Sequence, residues 1–144
     1  MFRAKRKSTV LTDEMQNTLI QAAIEARKWA YTPYSNYPVG AALLTASGRI
    51  YDGVNVENAA YPMTMCAERV AVFKAVSEGE HRFSAIAVAT SNGGSSCGAC
   101  RQVLSEFGIE MRVLIVDDTG RIVRDTTIGE LLPSAFGPSD LPRP

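Results

Sequence analysis

The sequence lacks the features that mark membrane-spanning, secreted and nucleic-acid-binding proteins. It has no apolar run near the about 20 residues that a membrane-spanning helix requires, and its 15 lysines and arginines balance 15 aspartates and glutamates. A chain without excess positive charge has little attraction for nucleic acid, so we expect neither nucleic acid nor a membrane as a partner. Three cysteines, an odd number, without a secretion signal predict reduced thiols and a cytoplasmic protein.

The N-terminus is locally basic, with Arg3, Lys5, Arg6 and Lys7 close together. No apolar stretch follows these residues, so we expect neither a signal peptide nor a membrane anchor. We predict a flexible tail over residues 1–11. The sequence shows no repeat, linker or low-complexity block, and its 144 residues suit one domain. We therefore predict a single domain over residues 1–144.

Hydrophobic periodicity alternates between helical and strand-like segments. Thr12 can cap a first helix, because Asp13 and Glu14 follow it in the first turn. That helix is expected to end before Pro33. We expect Trp29 to pack against neighbouring side chains and not to contact a substrate. Further helices are predicted over 66–77, 97–107 and 128–132, and strands over 39–46, 49–56, 83–90, 112–116 and 122–125.

The order of these segments predicts the fold class. Strands that are apolar throughout are covered on both faces, so we expect an α/β protein, a three-layer α/β/α sandwich around a sheet of about five strands. Short turns at Ser47-Gly48 and Asp118-Thr119-Gly120 join two pairs of strands. These hairpins make the sheet mixed rather than purely parallel.

The cysteines fall in two motifs, Cys66-Ala-Glu68 and Cys97-Gly-Ala-Cys100, each at the start of a predicted helix. The positive end of a helix favours thiolate over thiol, and zinc prefers thiolate ligands in tetrahedral geometry. Two helix N-termini that meet at one point can hold three thiolates on one zinc ion. This arrangement leaves the fourth position of the metal open, as in a catalytic site.

A carboxylate stands beside the predicted metal site. Glu68 lies two residues after Cys66, in a first turn whose cap-like backbone lets the side chain swing towards the open position. There it could take a proton from zinc-bound water, whose pKa the metal lowers, and act as a proton shuttle. Arg69 and Arg101 each follow a ligand closely and are candidates to offset the charge of three thiolates.

Two other interpretations of the cysteines stay open at this point. Cys97-x-x-Cys100 alone is also a redox motif, although Cys66-x-Glu68 would then be a coincidence. The single histidine, His81, would close the metal site as a fourth ligand and make it structural. Because His81 follows Gly79-Glu80 in a predicted turn, a solvated side chain is the simpler interpretation.

Five segments, taken in order, carry a family resemblance. They are residues 33–42 (Pro-Tyr-Ser-Asn-Tyr-Pro-Val-Gly-Ala-Ala), 55–61 (Asn-Val-Glu-Asn-Ala-Ala-Tyr), 66–69 (Cys-Ala-Glu-Arg), 97–102 (Cys-Gly-Ala-Cys-Arg-Gln) and 131–136 (Leu-Leu-Pro-Ser-Ala-Phe). The chain resembles the small, three-cysteine, homotetrameric type of cytidine deaminase, within the zinc-dependent deaminases. The similarity runs nearly from end to end, from Ala22 to Leu141.

The resemblance implies the metal and the acid/base group. Cys66, Cys97 and Cys100 would bind one zinc ion per chain. Glu68 would move protons between zinc-bound water, the ring N3 and the departing amine. Arg69 resembles the arginine that hydrogen-bonds the ligand sulfurs and reduces their charge.

The resemblance also implies the substrate contacts. Asn55 and Glu57 match the pair that holds the ribose hydroxyls, which distinguishes a nucleoside from a free base. The backbone N–H of Ala67 is expected to hold the pyrimidine carbonyl. Tyr37 stands where an aromatic ring packs on the pyrimidine, and Tyr61 belongs to the same substrate-binding set.

A homotetramer with shared active sites follows from the same resemblance. Phe136 resembles an aromatic residue that enters the active site of a neighbouring subunit. If its ring instead covers a local apolar patch, the sites are independent of assembly, and that alternative stays open.

Two residues depart from the family pattern. Ser96 stands where the family usually has proline before the first cysteine of Cys-x-x-Cys. We therefore expect a less rigid loop over residues 92–96 and a less fixed contact between its carbonyls and the leaving amine. Tyr37 replaces a common phenylalanine, and its hydroxyl needs a partner or water if it is buried.

The function implied is zinc-dependent hydrolytic deamination of cytidine and 2′-deoxycytidine, a step of pyrimidine salvage. The products would be uridine, 2′-deoxyuridine and ammonia. One alternative is deamination of a cytosine nucleoside antibiotic such as blasticidin S, and Glu57 argues against it because this carboxylate suits a ribose. The other alternative is a non-catalytic zinc-binding module, which would require four protein ligands.

Overall fold

Residues 11–143 are described by the structure, which is a computed structural model. The basic residues of the predicted N-terminal tail lie outside this range. The helices are α1 (Asp13–Ala26), α2 (Ala67–Ser77), α3 (Gly98–Glu106) and α4 (Ile128–Leu131). The strands are β1 (Gly40–Thr45), β2 (Ile50–Val54), β3 (Phe83–Ala89), β4 (Arg112–Val116) and β5 (Ile122–Thr127). Within the described range, no helix is long and apolar enough to cross a membrane.

The five strands form one mixed sheet in the order β2-β1-β3-β4-β5. β1 pairs antiparallel with β2 and β3, β3 pairs parallel with β4, and β4 pairs antiparallel with β5. The parallel pair requires a crossover, and α3 supplies it. The prediction of a mixed, five-stranded sheet made by two hairpins is confirmed.

Both faces of the sheet are buried, as the apolar strands predicted. Along β1, Ala42 and Leu44 pack with Leu19 and Ala23 of α1. The alternate residues Ala41 and Leu43 point to the other face, into a cluster that includes residues of α2, α3 and α4. Because side chains alternate across a strand, one strand serves two cores, and the three-layer α/β/α arrangement follows.

The start of α2 lies directly against β2. A Cβ atom on Gly53 would stand 2.4 Å from the carbonyl oxygen of Ala67 and 2.5 Å from the amide nitrogen of Ala71. Since real Cβ contacts are essentially never shorter than 3.0 Å, a larger residue at 53 would push the helix away. Glycine at this position therefore sets the height of the α2 N-terminus above the sheet.

The predicted ends of the elements hold to within a few residues, with two differences. β5 continues beyond Asp125 to Thr127, because Thr126 and Thr127 still pair with β4 and Thr127 then caps α4. Trp29 does not pack as expected. It lies in a 3₁₀ turn after α1, beside the edge strand β2, and its side chain is 74% exposed.

Candidate active site

Two helix N-termini meet at the three cysteines. Cys66 is the N-cap residue of α2 and Cys97 that of α3, and both have extended backbones. Cys100 lies three residues further along α3 and is buried. The three sulfur atoms lie within 4.8 Å of one another, and Cys66 Sγ and Cys97 Sγ are 3.8 Å apart. The predicted convergence of the two motifs is confirmed.

The sulfur geometry fits a tetrahedral zinc ion. Zinc–sulfur bonds of about 2.3 Å place two ligand sulfurs about 3.8 Å apart, which is the separation of Cys66 and Cys97. Within residues 11–143, the candidate metal-binding cluster consists of Cys66, Cys97 and Cys100. His81 follows the opposite end of α2 and is exposed, so the interpretation as a closed Cys₃His site is not supported.

The surroundings of the sulfurs favour thiolate at Cys66 and thiol at Cys100. Arg69 Nη2 donates to Cys66 Sγ at 3.3 Å. Hydrogen bonds from Cys100 and then Arg69 lower the pKa of the Cys66 thiol to about 5. The hydrogen bond to Cys66 and burial raise the pKa of Cys100. A bound dication would require all three sulfurs as thiolates and would displace any remaining thiol proton.

Glu68 is buried beside the sulfurs. Its side chain belongs to the first turn of α2, and the residue is 4% exposed. Burial, with a smaller contribution from the negative charge of Cys66, raises the pKa of Glu68. The backbone amide of Glu68 acts in the opposite direction and lowers this pKa by a smaller amount. A carboxyl group in such a site holds a proton more readily than one in water.

Glu57 and Tyr61 line an open cavity of about 390 Å³ together with Tyr34, Ser35 and Thr64, and neither the cysteines nor Glu68 are among its lining residues. The Glu57 carboxylate accepts hydrogen bonds from the backbone amides of Tyr34 and Ser35, at 3.0 and 3.1 Å, and from the Ser35 hydroxyl. These bonds, with the Ser35 hydroxyl first, lower the pKa of Glu57. Glu57 is therefore a fixed, ionised acceptor.

Asn55, which directly follows β2, forms hydrogen bonds with the segment before β1. Its Oδ1 accepts from the Val39 amide at 2.9 Å, and its Nδ2 donates to the Tyr37 carbonyl at 2.9 Å. An amide has two donor hydrogens and two lone pairs, so one of each remains for a ligand. Asn55 thus has a structural role that the sequence did not predict.

The aromatic residues of the predicted site are placed in different ways. The Tyr37 hydroxyl donates to Asn92 Oδ1 at 2.6 Å, which supplies the partner that this residue was expected to need. Tyr61 is 71% exposed and packs edge-to-face on Tyr34, with ring centroids 5.8 Å apart. Phe136 is 58% exposed and does not line the cavity, although Gln102 binds its carbonyl at 2.9 Å.

Arg101 has a different role from the one predicted. Its guanidinium donates to the carbonyls of Ser96 and Leu131, at 2.9 and 2.8 Å, and to the Ser95 hydroxyl at 3.1 Å. It therefore holds the loop of residues 92–96 instead of offsetting the sulfurs. This loop lacks the family proline, and Arg101 anchors the residue that takes its place. The weaker contact to the leaving amine remains a prediction.

Sequence reasoning missed the residues that hold the site residues in place. Ser35 fixes Glu57, and Asn92 fixes Tyr37. Each pair is far apart in the sequence, so no spacing pattern indicates it. A signal was present for Ser35 alone, because it lies inside the first of the five segments.

The sequence is similar to that of zinc-dependent deaminases. The family model described as the cytidine and deoxycytidylate deaminase zinc-binding region matches residues 13–116. A cytidine deaminase from Sporosarcina psychrophila is 52% identical over 126 residues, covering 85% of this chain and 92% of the relative. One from Halalkalibacterium halodurans is 46% identical over 125 residues, covering 85% and 95%.

Solved structures agree with the sequence comparison. The crystal structure of cytidine deaminase from Burkholderia pseudomallei superposes with a TM-score of 0.79 at 48% identity, covering 83% of this chain and 97% of that one. The crystal structure of cytidine deaminase from Mycobacterium tuberculosis gives a TM-score of 0.76 at 41% identity, covering 88% and 98%.

We predict that Cys97→Ala loses zinc, because two thiolates and an open position hold the ion far more weakly than three. Glu68→Ala should keep about one zinc per chain, since the carboxylate is not a ligand. Metal analysis of the two purified variants, each compared with the unaltered protein, checks this. Full zinc content in Cys97→Ala would contradict the assignment of the ligands.

Proposed function

The chain belongs to the cytidine and deoxycytidylate deaminase family and is a zinc-dependent enzyme that deaminates cytidine, and from this premise we propose how its residues perform the reaction. The observation that carries the proposal is the meeting of three thiols at two helix N-termini beside the buried carboxyl of Glu68. The products are uridine and ammonia. We extend the proposal to 2′-deoxycytidine, because Glu57 and Asn55 can bind a hydroxyl that both sugars have.

Cys66, Cys97 and Cys100 would hold the zinc ion, which, when bound, makes water acidic enough to act as a nucleophile near neutral pH. Water adds to C4 of the pyrimidine. Glu68 takes a proton from this water and gives it to the ring N3. Glu68 then delivers the second proton to the amino group, the C4–N bond breaks, and the C4 carbonyl forms as ammonia leaves.

Three positions hold the substrate in this scheme. The amide of Ala67 lies in the first turn of α2, where helix N–H groups have no intrahelical acceptor, so it is free to bind the pyrimidine carbonyl. Glu57 and Asn55 bind the ribose. Tyr37 packs against the pyrimidine, and its bond to Asn92 keeps the ring in place.

Glu57 and the number of metal ligands favour a nucleoside deaminase over the two alternatives. The charge at the metal is nearly balanced in each case, because three thiolates on a dication have a net charge near minus one and Arg69 lies against one of them. The fixed carboxylate of Glu57 favours a sugar with free hydroxyls, which argues against blasticidin S. A non-catalytic zinc module would need a fourth protein ligand, and the cluster offers three within residues 11–143.

We also propose a cytoplasmic homotetramer with shared active sites. Large apolar side chains on this chain are exposed, and a single copy leaves them in water. Trp29, Tyr61, Met63 and Phe136 are between 58% and 74% exposed. Phe136 is held at its carbonyl while its ring projects, which suits insertion into a neighbouring site.

Glu68→Ala should reduce kcat on cytidine by about 10²- to 10⁴-fold, because a positioned acid/base group contributes that much. The loss of cytidine absorbance in the ultraviolet measures the rate. Ser77→Ala, an exposed serine at the C-terminal end of α2 and thus far from Cys66, is the control and should be as active as the unaltered enzyme. Full activity of Glu68→Ala would remove the proton-shuttle role.

Glu57→Ala should raise KM for cytidine by about 10- to 100-fold, the range for losing a charge-assisted hydrogen bond. Any slow rate on free cytosine, which has no ribose, should not change. Glu110→Ala is the control, since Glu110 is an exposed carboxylate that does not line the cavity. An equal loss on cytidine and cytosine would show that Glu57 acts on folding or on the base.

Phe136→Ala should lower kcat/KM about tenfold, as truncation of an aromatic anchor does. Co-expression with Glu68→Ala chains tests whether the ring serves another subunit. A working site then needs Glu68 from a Phe136→Ala chain and Phe136 from a neighbouring Glu68→Ala chain. When equal amounts mix at random, about one site in four has this combination, so about a quarter of full activity should return. A mixture of Glu68→Ala with Glu68→Gln chains is the control.

If Phe136 acts within its own chain, co-expression gives only the average of the two weak variants. That result would contradict the shared site and leave the zinc site and Glu68 untouched.

A further inference from the structure

A continuous chain of hydrogen bonds holds the start of the loop of residues 92–96. Tyr37 Oη donates to Asn92 Oδ1 at 2.6 Å, and Thr90 Oγ1 donates to the same oxygen over a longer distance of 3.4 Å. Thr90 Oγ1 in turn accepts from the Gly94 amide at 2.9 Å. Because an amide oxygen has two lone pairs and a hydroxyl both donates and accepts, the directions of the three bonds are consistent. The loop therefore depends on a hydroxyl group from a distant segment of the chain.

Tyr37 is the better anchored partner in this network. Its amide donates to Ser35 Oγ at 3.1 Å, and its carbonyl accepts from Asn55 Nδ2 at 2.9 Å, whereas Asn92 is exposed. A Cβ atom on Gly94 would stand 2.5 Å from Tyr37 Oη, so the loop backbone lies directly against the tip of the ring. The hydrogen bond thus fixes the loop more than it fixes the tyrosine.

The two ends of the loop are held by different side chains. Tyr37 binds Asn92 at the first end, and Arg101 Nε binds the carbonyl of Ser96 at the second end, at 2.9 Å. The next residue, Cys97, is the N-cap of α3 and a proposed zinc ligand. Two of the five loop residues are glycines, which restrict the backbone least. The position of the loop, and with it that of Cys97, therefore depends on these two contacts.

We propose that Tyr37 and Asn92 form a positioning pair, which holds the loop before Cys97 in place of the proline that the family usually has at position 96. The two departures from the family pattern, Tyr37 for phenylalanine and Ser96 for proline, then compensate for each other. A phenylalanine has no hydroxyl that binds the loop, and a proline restricts the backbone through its fixed φ. The inference rests on the proposed function where it concerns the reaction rate, whereas the opening of the loop is measured without a substrate.

Tyr37→Phe removes the hydroxyl and keeps the ring. The Gly94 amide is hydrogen-bonded to Thr90 only while the loop is in place, so its hydrogen should exchange about three- to tenfold faster, the range for one hydrogen bond. Hydrogen exchange of the zinc-loaded protein measures this. We expect kcat on cytidine to fall by a similar factor, because Cys97 is then less well positioned, while KM stays within about twofold. Tyr31→Phe, which removes a hydroxyl from a ring that is 57% exposed, is the matched control and should change neither.

Variants of Asn92 test whether the hydroxyl acts through this residue. Asn92→Ala removes the acceptor and should cause the same two changes, whereas Asn92→Asp keeps an acceptor oxygen and should bring both values back to within about twofold of the unaltered enzyme. Tyr37→Phe combined with Asn92→Ala should lose no more than Asn92→Ala alone, since both changes remove the same bond. Losses that multiply would show that the two residues act separately and would overturn the pair.

A proline at position 96 tests the compensation. The Ser96 hydroxyl makes no hydrogen bond within the described residues, so Ser96→Pro removes no side-chain bond. With the backbone held by the proline ring, Tyr37→Phe should change Gly94 exchange and kcat by less than about twofold. Equal effects of Tyr37→Phe with and without Ser96→Pro would show that the hydroxyl does not replace the proline. A Ser96→Pro chain that fails to fold would also contradict the compensation, since the loop then does not accept the usual residue.

Two further results would overturn the proposal. In Tyr37→Phe, unchanged Gly94 exchange would show that the hydroxyl does not hold the loop. A rise in KM with unchanged kcat would show that the hydroxyl contacts the substrate instead. An unaltered enzyme that does not deaminate cytidine would refute the proposed function, and the exchange measurements would still decide on the positioning pair. The two failures are thus distinguishable on the same set of proteins.

Discussion

The meeting of two helix N-termini at three sulfur atoms is the constraint on which the rest of the structure depends. Thiolates at this point are favoured by the positive helix ends and by Arg69. Three of them on a dication leave one position open, so the same geometry both binds the metal and admits a reactant. Glu68 gains its role from this place, because the first turn of α2 buries its carboxyl beside the sulfurs.

The sheet brings the two helices together. β1 lies between β2 and β3, and its two faces pack on α1 and on the α2–α3 side. The close approach at Gly53 sets the start of α2, and the parallel pairing of β3 with β4 obliges the chain to cross over through α3. Two sequence motifs about thirty residues apart thereby meet.

Around the sulfur atoms, hydrogen bonds from polar groups hold site residues that lie in loops. Ser35 and two amides hold Glu57, Asn92 holds Tyr37, and Arg101 holds the loop that precedes Cys97. A site whose groups are held before the substrate binds loses less entropy on binding. Arg101 does for this loop, by hydrogen bonds, part of what a proline ring does through its rigid backbone.

The sequence by itself determined the helices, the strands and the chemistry of the cysteine motifs, because periodicity, caps and Cys-x-x-Cys spacing are local properties of the chain. It also indicated that Glu68 stands beside the metal. Only the tertiary structure decided the strand order, the exposed position of Trp29, the use of Arg101 and the partners of Glu57 and Tyr37. Apart from the bonds of Arg101 to Ser95 and Ser96, those hydrogen bonds join residues 22 or more positions apart. Their partners are therefore set by the packing of the whole sheet, and no local pattern contains that information.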